Sequence, residues 1–257
     1  MLAIVSPAKK LDFSELPQPL PHSLPEFTEQ TQSLVKTARR LSRPKLKKLM
    51  SLSDTLTELN YQRFQDHAEI TSLDNAKQAA FAFAGDTYIG LDSASLTEDD
   101  LAFAQDHLRI LSGLYGLLRP LDLIQPYRLE MSSRLATRRG KSLYDFWGDK
   151  LAQAIDEQVA AHASPVVINL ASIEYFKAAQ TGRLRARAIT PIFKEVSGNQ
   201  AKVIGFFAKQ ARGAMARYMI QNRLETPDDL KAFDTDGYRY QDELSDRDNW
   251  VFTRQSE

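Results

Sequence analysis

The chain has no cysteine, which excludes disulfides, thiolate metal sites and a cysteine nucleophile together. A cysteine-free composition fits a reducing compartment. Long apolar runs are missing as well. Met1-Leu2-Ala3-Ile4-Val5 stops at Ser6-Pro7, too short for the apolar core of a signal peptide. Nothing approaches the roughly 18 apolar residues of a membrane span, so the expected location is the cytoplasm. The four histidines, His22, His67, His107 and His162, stand apart with no i,i+4 pair, so no metal site and no cofactor is expected. A Gly-x-Ser-x-Gly elbow, a Gly-x-Gly-x-x-Gly fingerprint and a Walker ending are all absent, which removes support for hydrolase, dehydrogenase and P-loop readings. Net charge is missing too, since 33 Lys and Arg balance 33 Asp and Glu. Taken alone, that argues against a nucleic-acid protein.

The distribution of those charges says otherwise. Nine Lys or Arg lie between Arg183 and Arg223 against one acid, Glu195. From Glu225 to Asp248 there are nine acids and three bases, and Asp86 to Asp106 holds six carboxylates with no Lys or Arg. Such segregation can create a local field at zero net charge, unless the acidic segments fold back on the basic one.

A chain of 257 residues can bury roughly 70–75% of its unfolded surface without staples. No repeat, low-complexity tract or linker interrupts it, so residues 1–257 are expected to form a single compact α+β domain, a mixed sheet flanked by helices. Strands are expected at Leu2–Val5, Phe81–Ala84, Arg109–Ser112 and Val166–Leu170, with a hairpin over 189–206 turning at Ser197-Gly198-Asn199 and late strands at 238–240 and 250–252. Helices are expected over 25–40, 45–67, from Thr97, over 146–161 and over 207–224, with Thr97 as a cap. Residues 16–25, with four prolines, read as an irregular connection.

The helix carrying Lys209, Arg212, Arg217 and Arg223 groups these cations within about 140° of arc, because successive residues are about 100° apart. No Glu or Asp interleaves at i,i+4 as an ordinary solvated helix would have it, so the helix is a candidate anion-binding face. Residues 44–54, Pro-Lys-Leu-Lys-Lys-Leu-Met-Ser-Leu-Ser-Asp, permit two readings. One is a helix-hairpin-helix phosphate site, with Lys45, Lys47, Lys48, Ser51 and Ser53 around the turn. The other is one amphipathic helix, since Leu46, Leu49, Leu52, Leu56 and Leu59 keep a helical spacing. Lys9 and Lys10, just past the first strand, are placed to meet an anion or simply to be solvated. Arg128 and Glu130 form either a catalytic pair in a cleft or a structural ion pair.

Several phrases, in order along nearly the whole chain, resemble the YaaA family of bacterial peroxide-stress resistance proteins. They are Ser6-Pro7-Ala8-Lys9, Phe83-Ala84-Gly85-Asp86-Thr87-Tyr88, the run Arg109 to Pro120, Tyr127-Arg128-Leu129-Glu130-Met131, Asn169-Leu170-Ala171-Ser172 and Phe206 to Gly213. The resemblance implies an unusual α+β fold and a role limiting damage from intracellular iron and hydrogen peroxide. It also implies DNA binding through a basic cleft and a helix-hairpin-helix element. On that reading Lys9, Lys45, Lys47, Lys48, Ser51, Ser53, Arg119, Arg128, Lys194, Lys209, Arg212 and Arg217 meet duplex or branched DNA with little sequence specificity. A second reading is an enzyme acting on a small anionic or nucleotide-like substrate. Its residues, Lys9, Gly85, Asp86, Arg119, Arg128, Glu130, Asn169 and Lys209, all lie at expected element ends or turns, and it requires them to converge.

Overall fold

The computed structural model describes residues 1–257 except Pro17, Gly182, Asn199 and Glu257, so Pro17 of the proline-rich connection and Asn199 of the expected hairpin turn lie outside the described residues. Ten strands and ten α-helices are described. β1 (Leu2–Val5) is followed by α1 (Thr28–Arg39), α2 (Arg43–Met50), α3 (Asp54–Asp66), β2 (Lys77–Gln78), α4 (Ala79–Ala82), α5 (Asp86–Leu91) and α6 (Glu98–His107). Next come β3 (Leu108–Ser112), β4 (Gly116–Leu118), β5 (Leu123–Ile124), α7 (Leu143–Trp147), α8 (Lys150–Ala160), β6 (Val166–Leu170) and α9 (Ile173–Thr181). β7 (Arg187–Ser197), β8 (Gln200–Lys202), α10 (Gly205–Gln221), β9 (Arg239–Tyr240) and β10 (Asn249–Gln255) complete the chain.

The result is the expected α+β architecture with a mixed eight-stranded sheet, in the order β4-β3-β1-β6-β7-β10-β9, with β8 attached to β7. β1 pairs in parallel with β3 (Ala3↔Leu108) and with β6 (Leu2↔Val167), and β7 continues the parallel set between β6 and β10. Antiparallel β4 and β9 close the two edges. β1 and β3 are buried throughout, which explains why they read as apolar runs: a parallel strand covered on both faces has no polar side. The carboxyl ends of β1, β3 and β6 therefore emerge together on one edge of the sheet.

Two glycines set the deepest helix packing. A Cβ at Gly90 of α5 would overlap the Gln210 carbonyl oxygen, and one at Gly213 of α10 would overlap that of Thr87. Only hydrogen at these positions lets the two backbones approach so closely. On the other side of the domain His67 is buried, its Nε2 3.2 Å from the Tyr115 hydroxyl. That hydroxyl accepts from Gln125 N–H at 2.8 Å, so one buried pair fixes both the end of α3 and the loop between β3 and β4.

The boundaries differ from expectation in instructive ways. The helix over 45–67 is two helices, because Ser51 takes left-handed angles (φ 51, ψ 52) and Ser53 restarts the chain by accepting from Leu56 N–H at 3.3 Å. The single-amphipathic-helix reading is thereby overturned. The expected strand at Phe81–Ala84 is corrected to the helical turn α4 followed by an isolated bridge, Leu11↔Phe83; a four-residue apolar run does not distinguish the two. The helix over 146–161 divides at Gly148 (φ 51) into α7 and α8. Thr97 caps α6 as expected, in a reciprocal capping box with Asp100.

Two outcomes follow. Gly213→Ala forces the α5–α10 contact apart and lowers stability by about 3 kcal/mol, at the upper end for overpacking, read from the urea midpoint. Burial holds the His67 imidazole below its ordinary pKa, partly offset by its bond to the Ala68 carbonyl. The folded state therefore binds this proton less readily than the unfolded chain. Its contribution to stability is present above the unfolded value of about 6.5 and is lost as pH falls from there toward the folded value. Unfolding midpoints at pH 7.5 and 5.5 should show that loss, with a smaller drop in His67→Gln.

Candidate functional site

Three loops at the carboxyl edge of the sheet are tied together by their own polar groups. Ser6 Oγ, just past β1, accepts from Ser172 N–H at 2.8 Å and donates to Ser172 Oγ at 3.3 Å. Tyr88 Oη donates to the Ser6 carbonyl at 3.1 Å. Asn169 accepts from Ala171 N–H at 3.1 Å and donates to Thr190 Oγ1 at 3.2 Å, which shapes the turn after β6. Gly113 has no Cβ to meet the Leu129 carbonyl, so the segment carrying Arg128 and Glu130 lies close against the end of β3. Tyr127 Oη and Ser112 Oγ bond at 2.6 Å beneath it.

These loops, with α5, α9 and α10, enclose a cleft of about 510 Å³. Its ionisable lining comprises five bases, Lys9, Lys10, Arg128, Lys209 and Arg212, and three acids, Asp86, Glu130 and Glu174, besides the tyrosines. Glu130 Oε1 receives Arg128 Nε at 3.0 Å and Nη2 at 2.9 Å, with Lys9 Nζ at 3.4 Å. Its Oε2 is buried and has no hydrogen-bond partner. Lys209 Nζ lies 3.3 Å from Asp86 Oδ2. Arg212 is different, for burial alone depresses its pKa. No carboxylate among the described residues compensates it. Because a withdrawn charge without a partner is costly, this guanidinium is the strongest request for an anion in the cleft.

The wall behind is aromatic, with Tyr88, Tyr127 and Tyr175. Burial raises the pKa of all three. Their hydroxyls stay protonated, and those of Tyr88 and Tyr127 are committed to Ser6 and Ser112.

Of the residues nominated from sequence, Lys9, Arg128, Glu130, Lys209, Arg212 and Asp86 converge here. Asn169 supports the rim without lining it. Arg119 is elsewhere: β4 runs back along β3, carrying it to the opposite edge, where it pairs with Asp122 at 3.0 Å and bonds the Leu24 carbonyl. Lys194 lies half-buried on β7. Arg217 bonds the carbonyls of Leu91 and Asp92 at 3.1 and 2.8 Å, fastening the end of α5. Lys45, Lys47 and Lys48 are exposed on α2, with Lys47 paired to Asp54 at 2.6 Å.

The expected anion-binding face of four cations on this helix is corrected by the fold, since Arg223 lies past the end of α10 at Gln221 and three of the four meet acids. Asp86, Asp92 and Asp100 stand opposite Lys209, Arg217 and Arg223 at 3.3, 3.7 and 2.6 Å, so the acidic segment does fold back on the basic one. What sequence reading missed is α9, which supplies Glu174 and Tyr175, and Arg63 on α3. Arg63 is half withdrawn from water, and its positive neighbour Arg128 adds to the depression of its pKa that burial causes. The phrase Asn169-Leu170-Ala171-Ser172 pointed to the α9 side of the rim, whereas Arg63 carried no local signal.

Comparison with known proteins adds a second line. A family profile described as peroxide stress protein YaaA matches residues 1–244. The chain is 55% identical to a UPF0246 protein of Magnetococcus marinus over 99% of each chain. It is 50% identical to one of Ralstonia nicotianae over 100% of each, and 54% identical to one of Roseobacter denitrificans over 99% of this chain and 98% of the other.

The ion pairs at the mouth are exposed enough to be individually weak, about 0–1 kcal/mol. Asp86→Asn releases Lys209 and should raise phosphate affinity about two- to five-fold. Lys209→Gln should lower it by a similar factor, both read as a thermal shift against phosphate concentration.

Proposed function

The chain belongs to the peroxide stress protein YaaA family, and on that premise we propose that it acts in peroxide resistance as a cytoplasmic DNA-binding protein, limiting iron and peroxide damage through contacts of low sequence specificity. The observation that carries this reading is Arg212, a half-buried residue whose guanidinium has no counter-charge among the described residues, in a cleft that also holds Lys9, Arg128 and Lys209. Strand phosphates supply the missing charge, and phosphate contacts position a protein on DNA without reading sequence.

A second contact is supported by α3. Arg63, near its end, neighbours Arg128, and the α2–α3 turn lies about nine residues back, roughly 14 Å along the helix. α2, leading into that turn, exposes Lys45 and Lys48, and the start of α3 offers backbone N–H groups suited to a phosphate. Ser51 and Ser53 shape it, Ser51 through its left-handed backbone and Ser53 through its cap. Asp54 at the same helix start competes for that position, which makes the turn the weaker of the two contacts.

The enzymatic reading has one specific observation in its favour. Lys9, Arg128, Glu130 and Lys209 share one cavity, as an enzyme acting on a small anionic or nucleotide-like substrate requires. Against it, no activated nucleophile and no histidine line the cleft among the described residues; Ser6 and Ser172 hydroxyls are bonded to each other, and the tyrosine hydroxyls are held protonated. Binding is the better-supported role.

A salt titration against duplex and branched DNA tests it. Log affinity should fall with log salt with a slope of about −0.9 per phosphate contact. Arg212→Glu should abolish most binding, and the double change Lys47→Ala, Lys48→Ala should weaken it by a smaller factor and flatten the slope. Equal affinity at low and high salt would remove the DNA reading.

A further inference from the structure

Two features of the cleft are not used by a passing strand of DNA. The first is its size: about 510 Å³ is within the roughly 300–1,000 Å³ of small-ligand pockets. The second is Glu130 Oε2, a buried acceptor with no donor, in the same cavity as the uncompensated Arg212. An anion with no hydrogen to give would satisfy Arg212 and leave Glu130 repelled. The occupant must carry negative charge at one end and an O–H or N–H at the other.

The charge count narrows the head group. Five bases face three acids in the lining, an excess of two. A phosphodiester brings one negative charge, whereas a phosphate monoester brings about 1.5 to 2 at neutral pH. The aromatic and apolar wall of Tyr127, Tyr175, Leu129 and Leu170 offers surface for a ring rather than for a second phosphate.

We infer that the cleft binds a nucleoside monophosphate unit, with its terminal phosphate toward Arg212 and Lys209 and its sugar or base donating to Glu130 Oε2. This deepens the reading of the cleft as an anion site and rests on it. The unit has two sources, a free mononucleotide or the phosphorylated end of a DNA strand, and in the second case the protein engages broken or terminal DNA rather than continuous duplex.

The test uses the full chain and fluorescence anisotropy. Labelled single-stranded oligonucleotides carrying a 5′-phosphate, a 3′-phosphate or only hydroxyl ends are compared at one salt concentration, with deoxynucleoside monophosphates, deoxynucleosides and inorganic phosphate as competitors. One phosphorylated end should bind about ten-fold more tightly than the hydroxyl form, the scale of one added charge-assisted hydrogen bond. Arg212→Gln, checked for folding by its melting curve, should erase that difference. Monophosphates should compete best, inorganic phosphate more weakly and nucleosides not at all. If monophosphates bind directly and no strand end does, the ligand is the free nucleotide: the inference stands and the DNA reading falls. If phosphorylated and hydroxyl strands bind equally and monophosphates fail to compete, the inference is overturned. In that case salt-dependent binding weakened by Arg212→Gln leaves the DNA reading intact. Absence of binding by every probe removes both.

Discussion

The cleft depends on the approach of two helix backbones. α5 and α10 touch through Gly90 and Gly213, each facing a carbonyl oxygen of the other helix with no room for a methyl group. That contact sets how far Lys209 and Arg212 project over the carboxyl ends of the strands, and it places Asp86 beside Lys209. A wider helix spacing would move the cations outward and open the pocket to water, where charge is cheap and binding weak. The phrases around Asp86 to Tyr88 and Phe206 to Gly213 are thus two sides of one joint.

Charge segregation along the chain has a structural reason that differs from its first appearance. Most of the basic stretch is matched in three dimensions: Arg217 and Arg223 hold the acidic segment of α5 and α6 in place, Arg187 meets Asp248, and the sole acid of the stretch, Glu195, is buried against Arg254 and Tyr238. These pairs attach separate parts of the chain to one another. Subtracting the paired bases leaves Arg183, Lys194, Lys202 and Arg212, and of these Arg212 alone lines the cleft, with Lys9, Lys209 and the Arg128–Glu130 pair around it. A surface uniformly rich in lysine would attract polyanions everywhere; here one uncompensated guanidinium sits in a concave place.

Much of the fold was legible because the signals were local. Leu2–Val5 and Val166–Leu170 are apolar runs bounded by breakers, and Thr97 sits before three acids, so strand, strand and helix start could be read directly. The convergence of Lys9, Arg128, Glu130 and Lys209 was anticipated only as a requirement, since element ends that share a sheet edge can be suspected but not placed. The failures were long-range. No periodicity marks α9, whose Tyr175 faces the cleft only because β6 lies beside β1. Nothing in the sequence around Arg119 tells that β4 turns back and carries it to the far edge. Nor could the cations of α10 be known to have acids opposite them, because Asp86, Asp92 and Asp100 lie more than a hundred residues earlier.

The order of strands in the sheet also sets a timetable for biosynthesis. β1 is held between β3 and β6, its partners Leu108 and Val167 lying far along the chain. At a bacterial-scale elongation rate of about 5–20 residues per second, roughly ten to thirty seconds separate the emergence of β1 from that of β6. Throughout that interval Leu-Ala-Ile-Val has no completed sheet to enter, and pairing across such separations is intrinsically slow. The cleft, gathered from five distant segments over that strand, can exist only after the chain is nearly complete, so a ribosome-bound or prematurely ended product carries none of it.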